Sequence, residues 1–202
     1  LLITEPQGAN LSIPLDLFPS HSMEVGFFSY KLQALEMPAS FHQWFSDLFG
    51  KKIKLVRSPK ETKRTTSGRH GPLSPLRFAD GYPFLLTAIE SLEKLNESLA
   101  KPIKMDRFRP NIVVRGASPY SEDHWQEFDI NSQKFLAVKA CTRCKIIELD
   151  QQTGERNKEV TQALKPRQGE RGVLFGVNLT HRGTGTVEKG QSLVLGGSQP
   201  KI

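Results

Sequence analysis

The sequence has only two cysteines, Cys141 and Cys144, among its 202 residues. Two cysteines are too few for a disulfide-stabilised scaffold, so we expect a chain that folds around a buried core in a reducing compartment. No stretch approaches the roughly 18 apolar residues of a membrane-spanning helix, and the first residues lack the basic and apolar parts of a signal peptide. The sequence therefore predicts a soluble, cytoplasmic protein with no transmembrane segment.

Acidic residues are scarce in one basic segment. Between Lys51 and Arg77 the single acid is Glu61, and nine basic residues surround it: Lys51, Lys52, Lys54, Arg57, Lys60, Lys63, Arg64, Arg69 and Arg77. Three interpretations stay open: a solvated loop, a contact with an acidic partner or a cofactor phosphate, and a nucleic-acid surface. Nucleic acid is the least favoured, because no aromatic residue lies within the segment to stack on bases.

The spacing of apolar residues predicts few helices and many short strands. One helix carries Phe41, Trp44, Phe45, Leu48 and Phe49 and ends at Gly50, a second carries Ile89, Leu92, Leu95 and Leu99 with Thr87 or Ser91 as its cap, and a third covers 159–164. Strands are expected at 52–57, 83–86, 112–114, 127–130, 134–140, 145–149, 174–179 and 193–195. Residues 58–77 are rich in Gly, Pro and basic residues, so we expect an irregular, mobile loop. This pattern indicates an α+β chain, mainly β, with a closed or nearly closed β-barrel.

Four chemistries compete for the segment Cys141-Thr-Arg-Cys144. A structural zinc site needs further ligands, but there is no second cysteine pair and the histidines are scattered. A thioredoxin-type dithiol belongs at a helix N-terminus, whereas this pair lies between two predicted strands. Two buried thiols without a role, and a thiolate that ligates a soft transition metal, are the stronger alternatives. Arg143 would stabilise a thiolate.

Two other segments combine charged and special residues. Arg109 precedes Pro110, which favours an extended conformation at the edge or mouth of a barrel, where Arg109 would bind an anion or make a structural ion pair. Ser121-Glu-Asp-His-Trp125 contains acids beside a Trp, and a turn with the Trp packed over it is the favoured interpretation. No Gly-x-Ser-x-Gly elbow supports a hydrolase.

Taken as an ordered set, several motifs in this sequence resemble the MOSC domain family, and the amidoxime-reducing molybdenum enzymes in particular. They are Phe78-Ala-Asp-Gly-Tyr-Pro-Phe84, Arg107-Phe-Arg-Pro-Asn111, Ser121-Glu-Asp-His-Trp125, Ala140-Cys-Thr-Arg-Cys144, Asp150-Gln-Gln-Thr-Gly154 and Phe175-Gly-Val-Asn178. The resemblance implies a MOSC-type β-barrel over 78–202 with a few peripheral helices, preceded by the basic loop 58–77. Residues 1–57 would be the tail of an N-terminal MOSC-associated β region with one helix.

The resemblance also implies a site and an activity. Cys144 would be the catalytic residue and the metal ligand for a molybdenum–pterin cofactor (molybdopterin). The cofactor-binding residues would be Asp80, Gly81, Arg109, Pro110, Asn111, Thr142 and Arg143. The family's reaction is the two-electron reduction of N-hydroxylated compounds such as amidoximes, with electrons from a separate protein, and eukaryotic relatives would associate with mitochondria.

The C-terminal domain of molybdenum cofactor sulfurase shares several of these motifs. It implies an alternative function, a non-redox module that binds the cofactor or transfers its sulfur. The family's link with pyridoxal phosphate would belong to an upstream domain of such a protein.

Overall fold

A computed structural model describes residues 1–196. The chain divides after Arg64 into two units, and the second begins at Thr65. No helix among the described residues is both long and apolar enough to cross a membrane.

The first unit contains a small sheet and one helix. β1 (Leu2–Thr4) pairs with β2 (Asn10–Ser12), while β3 (Ser22–Phe27), β4 (Tyr30–Glu36) and β5 (Val56–Arg57) form an antiparallel sheet in that order. The predicted helix is confirmed as α1 (Ala39–Phe49), and it ends at Gly50 because that residue adopts the left-handed conformation, with φ of 61°.

The strand predicted at 52–57 is wrong for all but its last two residues. The backbone N–H of Ile53 donates to the Ser46 Oγ of α1 at 3.0 Å, so this part of the segment is fastened to the helix. The N–H of Met37 donates to the carbonyl of Leu55 at 3.1 Å, just before β5 begins.

The second unit is built on a seven-stranded, nearly closed barrel-shaped sheet, which confirms the predicted fold class. Its strands run in the order β12-β8-β9-β11-β6-β7, with β10 added beside β11. All pairs are antiparallel except β6 with β7. The strands are β6 (Phe84–Ala88), β7 (Ile112–Val114), β8 (Glu127–Ile130), β9 (Gln133–Thr142), β10 (Gln168–Gly169), β11 (Gly172–Arg182) and β12 (Leu193–Leu195).

Two apolar clusters fill the second unit. One lies within the barrel and contains Phe128, Phe135 and Leu179, because alternate residues of β8, β9 and β11 point to the same face. The other packs Phe108 and Phe175 against residues from α2 (Ile89–Asn96) and α3 (Glu159–Ala163). The rings of Phe108 and Phe175 stack with centroids 3.8 Å apart.

Local signals were misleading at two other elements. Residues 145–149, predicted as a strand, contain a 3₁₀ helix, Lys145–Glu148. The predicted cap of α2 is also wrong: neither Thr87 nor Ser91 caps the helix, which follows the extended residue Ala88. The Thr87 hydroxyl lies 3.2 Å from the Met105 sulfur and the Ser91 hydroxyl bonds to Glu122, so both hydroxyls are used in long-range contacts.

Part of the basic loop is packed. Within the second unit, Thr66 is buried, donates to the carbonyl of Pro72 at 3.1 Å and accepts the N–H of Ser74 at 3.0 Å. A side chain at Gly71 would begin 2.5 Å from Val138 of β9, so the loop lies directly on that strand. The loop is therefore irregular, as predicted, and it is packed over this stretch, while its mobility stays a prediction.

Candidate functional site

The end of β9 presents Cys144 to solvent. Thr142, the last residue of β9, pairs with Leu174 of β11, and the N–H of Arg143 donates to the carbonyl of Val173 at 2.8 Å. The chain then leaves the sheet and enters the 3₁₀ helix Lys145–Glu148, so Cys144 occupies an exposed junction between strand and helix. A thiol at this position is accessible and is held by rigid elements on both sides.

The two cysteines differ in their surroundings. Cys141 is half-buried within β9, and Arg143 Nη1 lies 3.1 Å from its sulfur. Arg143 Nη2 donates to the carbonyl of Phe108 at 2.7 Å, while its Nε is buried without a hydrogen-bond partner. Arg143 therefore ties Cys141 to the Phe108 region, and Cys144 remains the more accessible thiol.

The contact with Phe108 brings the Arg107–Asn111 segment beside the cysteines. Phe108 ends a 3₁₀ helix, Met105–Phe108. The exposed Arg109 follows it with a positive φ of 54°, so the extended conformation predicted before Pro110 is wrong at this residue. A non-glycine residue in this conformation is strained, which occurs preferentially at binding sites. Asn111 fixes the start of β7, since it donates its N–H to the carbonyl of Leu85 and accepts the Leu85 N–H at its Oδ1, both at 2.9 Å. Pro110 is half-buried between them.

Asp80 and Gly81 precede β6 at the end of the paired strands that is opposite to Cys144. They are exposed and lie just before β6, whose first residue, Phe84, pairs with Leu179, which in turn pairs with Ala137 of β9. Ala137 precedes Thr142 by five residues, or about 17 Å of antiparallel strand. Strand pairing therefore does not bring Asp80 next to Cys144, and a ligand that contacts both has to extend along the sheet.

Sequence reasoning missed the residues that hold the 3₁₀ helix after Cys144. Glu148 is buried and accepts from Arg156 Nε at 2.6 Å and Thr161 Oγ1 at 2.8 Å. These hydrogen bonds, Arg156 first, lower the pKa of Glu148. Buried Arg107 donates to the Glu148 carbonyl at 3.3 Å and pairs with Asp150 at 2.8 Å.

The turn that begins at Asp150 is one feature here that the sequence alone indicates. Asp150 Oδ1 accepts the backbone N–H groups of Thr153 and Gln152, at 3.0 and 2.9 Å, as an Asp at the start of a turn commonly does. These two bonds lower the pKa of Asp150. A small pocket of about 90 Å³ lies between this turn and residues 102–107, and none of the predicted site residues lines it.

The Ser121–Trp125 segment is structural in its contacts. It forms the 3₁₀ helix Ser121–His124, in which buried Glu122 accepts the Ser91 hydroxyl at 2.7 and 2.8 Å and the Ala88 N–H at 3.3 Å. Asp123 pairs with Arg167, and the ring of Trp125 packs edge-on against Phe128. These contacts support the interpretation of a packed turn.

The donors near Cys144 fit a soft metal that brings other ligands with it. A thiolate suits such a metal, and the exposed sulfur leaves room for a bulky group. Within residues 1–196 no cluster of three or more His, Cys, Asp or Glu is arranged to hold a metal ion. The protein would supply one sulfur to such a metal. Arg109 directly follows the 3₁₀ helix Met105–Phe108, and Lys145 begins the 3₁₀ helix after Cys144.

The second unit is thus a mainly β barrel that carries an exposed thiol where β9 ends. The sequence model of the MOSC domain matches residues 74–194, which is more than half of the chain. The chain belongs to the MOSC domain family.

Relatives within this family carry two kinds of name. The chain is 32% identical over 179 residues to a molybdenum cofactor sulfurase from Oryza sativa subsp. japonica, covering 79% of this chain and 22% of the relative. It is 35% identical over 134 residues to human mitochondrial amidoxime-reducing component 1, and this alignment covers 61% of this chain and 40% of the relative. It is 30% identical over 172 residues to mitochondrial amidoxime reducing component 2 of Bos taurus, and this alignment covers 82% of this chain and 51% of the relative. The chain thus spans from about a fifth to about half of these curated relatives.

Proposed function

We propose that this chain binds a molybdenum–pterin cofactor through the thiolate of Cys144 and reduces N-hydroxylated compounds such as amidoximes. The observation that carries the proposal is the exposed cysteine at the junction of β9 and a 3₁₀ helix. When bound, the cofactor supplies the two-electron redox chemistry, and the protein supplies binding and orientation. The relatives named for amidoxime reduction support this choice of substrate class.

Each proposed site residue has a role that its position supports. Thr142 ends β9, and Arg143 holds the loop through Val173 and Phe108, which fixes the direction in which Cys144 points. Arg109, exposed and strained, is placed to bind an anionic part of the cofactor.

The remaining proposed residues shape the site. Pro110 and Asn111 set the path from Arg109 into β7 through the two bonds to Leu85. Asp80 and Gly81 would contact a part of the cofactor that extends along the sheet. Among residues 1–196, no atom other than those of its chain neighbours lies within 4 Å of a β-carbon built on Gly81, so the space beside it is open.

Reduction needs a source of electrons. A separate electron-donor protein would return them, and the basic residues between Lys51 and Arg77 are candidates for contact with an acidic donor. The domain limits of 1–57, 58–77 and 78–202 and the cytoplasmic location remain predictions, as does mitochondrial association. The part of the chain beyond residue 196 in the third domain lies outside the described residues.

A second candidate function is a module that holds the cofactor or passes on its sulfur without redox turnover. The match to the rice sulfurase favours it, because that alignment covers 79% of this chain. The same cysteine would serve both functions, so geometry at Cys144 alone does not separate them. The difference lies in whether the loaded protein turns over a substrate.

The test is amidoxime reduction by the cofactor-loaded chain with a reduced dye as electron donor. The proposal expects dye oxidation that depends on the amidoxime and on the cofactor, with one amidine and one water formed for every two electrons and two protons taken up. Arg109→Gln is the informative variant, with Arg115→Gln, another exposed arginine, as its control. Cofactor retention without any amidoxime-dependent dye oxidation would reject the reductase and favour the non-redox module.

A further inference from the structure

The tip of the β3–β4 hairpin in the first unit has an unusual turn. Phe27 pairs with Tyr30, so Phe28 and Ser29 alone form the turn. Phe28 has a positive φ of 53° and is 78% exposed, although Asn or Gly would normally occupy this position. A large aromatic ring is therefore held in a strained backbone conformation and is mostly exposed to water.

Aromatic rings and cations are combined around this tip. Tyr30 is 52% exposed, and the Phe27 and Phe28 rings meet edge to face at 4.9 Å. The Arg64 guanidinium carbon lies 5.1 Å from the ring centroids of both Phe27 and Tyr30. The tip thus presents exposed aromatic rings, and the Arg64 guanidinium lies against Phe27 and Tyr30.

A row of basic residues leads to the tip. Arg57 pairs with Leu35, near the end of β4 that is farther from the turn, and the chain reaches the tip again at Arg64. Between them, Arg57 and Lys60 lie 3.9 and 4.6 Å from the ring centroid of Phe18. Residues 57–64 thus carry four basic residues and one acid, Glu61, and the last of the basic residues, Arg64, lies against the rings of the tip.

We infer that the β3–β4 hairpin tip docks on an anionic phospholipid surface. Aromatic side chains favour the interface between water and lipid, and basic residues beside them are attracted to anionic headgroups. Phe28 would enter the headgroup region while residues 57–64 face the lipid phosphates. This surface goes beyond the proposed reductase, since it lies in the first unit and uses none of the residues proposed to hold the cofactor, although residues 57–64 belong to the basic segment named above for contact with a donor.

The shape of the tip favours lipid over a protein partner. A protein interface usually covers about 800 Å² on each side, whereas Phe28 and Tyr30 together expose on the order of 300 Å². A protein would also need a cavity shaped for the projecting Phe28 ring. A fluid headgroup region accepts a small, convex aromatic tip without such complementarity.

The test is co-sedimentation of the full chain with vesicles of phosphatidylcholine alone or with about one-third phosphatidylserine. We expect binding to the mixed vesicles that weakens with added salt, and little binding to the neutral ones. Phe28→Asn should reduce the partition coefficient about tenfold. It should leave the thermal unfolding temperature unchanged or raised, because Asn tolerates the positive φ. Phe49→Asn, a matched loss of an exposed ring outside the hairpin, should bind as the parent does.

A charge reversal tests the basic row. Lys60→Glu combined with Lys63→Glu should abolish the preference for phosphatidylserine, whereas Lys51→Glu combined with Lys52→Glu makes the same charge change and should retain most of it. The inference is overturned if the mixed vesicles are not bound, if Phe28→Asn binds like the parent, or if that variant unfolds at a lower temperature. Retention on an immobilised acidic protein without vesicle binding would assign the tip to a protein partner instead.

Discussion

At the scale of single residues, the two cysteines of one short motif differ in their exposure and their contacts. Their spacing left zinc, dithiol, structural and metal-ligand chemistry open. The structure places Cys141 within β9 with Arg143 against its sulfur and leaves Cys144 exposed past the strand end. That asymmetry depends on the bond from Arg143 to Phe108, a residue 35 positions away, and so it was not readable from the tetrapeptide.

Gly176 in β11 is a second residue whose identity is set by its surroundings. It has a φ of 75° and lies where the pairing of β11 with β9 shifts between Leu174 and Val177. A β-carbon there would lie 2.6 Å from the carbonyl oxygen of Leu86 and 2.7 Å from Thr87 Cγ2. Only glycine fits this bulge without moving β6.

We therefore predict that Gly176→Ala lowers the free energy of unfolding by about 3 kcal/mol, from the left-handed conformation and the clash together. Denaturant unfolding measures it. Gly190→Ala is the control: Gly190 has a φ of 93°, but in the described part of the chain no atom outside its chain neighbours lies within 4 Å of the added carbon. That variant should lose about 1 kcal/mol. Equal losses in the two variants would contradict the prediction, because β6 would then move away from the added carbon at no cost in stability.

At the level of elements, short-range pattern was informative where one face of a strand is buried. The alternation in Glu127–Ile130 reproduces the observed strand, because Phe128 and Ile130 both enter the barrel core. The pattern failed at 145–149, where Ile146 and Ile147 favour a strand locally. The 3₁₀ helix there is supported by Arg107, Arg156 and Thr161, all distant contacts of Glu148.

The support of this helix by Glu148 makes a prediction about pH. Its folded pKa lies below the ordinary value of 4.5, so the unfolded chain takes up this proton more readily. The stabilisation is therefore complete above about pH 5 and is lost as pH falls through the folded pKa. Glu148→Gln should be less stable than the parent at neutral pH, and the difference should shrink as pH falls from about 6 to about 3.

Unfolding free energies of parent and variant across that range measure the effect. Glu97→Gln, which changes a carboxylate with 62% of its side chain exposed, serves as the control and should follow the parent closely. A stability difference between Glu148→Gln and the parent that stays constant with pH would contradict the role assigned to the Glu148 carboxylate.

At the scale of the whole molecule, the motif set predicted the fold better than it predicted the site. The family resemblance and the strand pattern both gave a mainly β barrel, and the MOSC match and the sheet confirm it. The site residues come from separate parts of that barrel. The hydrogen bond from Arg143 to the Phe108 carbonyl joins the chain neighbours of Cys144 and Arg109, whereas the register of β6 separates Asp80 from this bond along the sheet. Register is a property of strand pairing across the barrel, and no local pattern in residues 78–84 specifies it.

The central claim is that Cys144 is the sulfur ligand of the cofactor's metal, and molybdenum retention tests it most directly. The parent, Cys144→Ser and Cys141→Ser would each be loaded with the cofactor, freed of unbound material by gel filtration and analysed for molybdenum per chain. A hydroxyl is a far harder and less acidic donor than a thiol, so Cys144→Ser should lose more than about tenfold of the bound metal. Cys141→Ser should retain most of it, because Cys141 is held by Arg143 and is not at the exposed junction. Full retention by Cys144→Ser, or equal loss in both variants, would contradict the account.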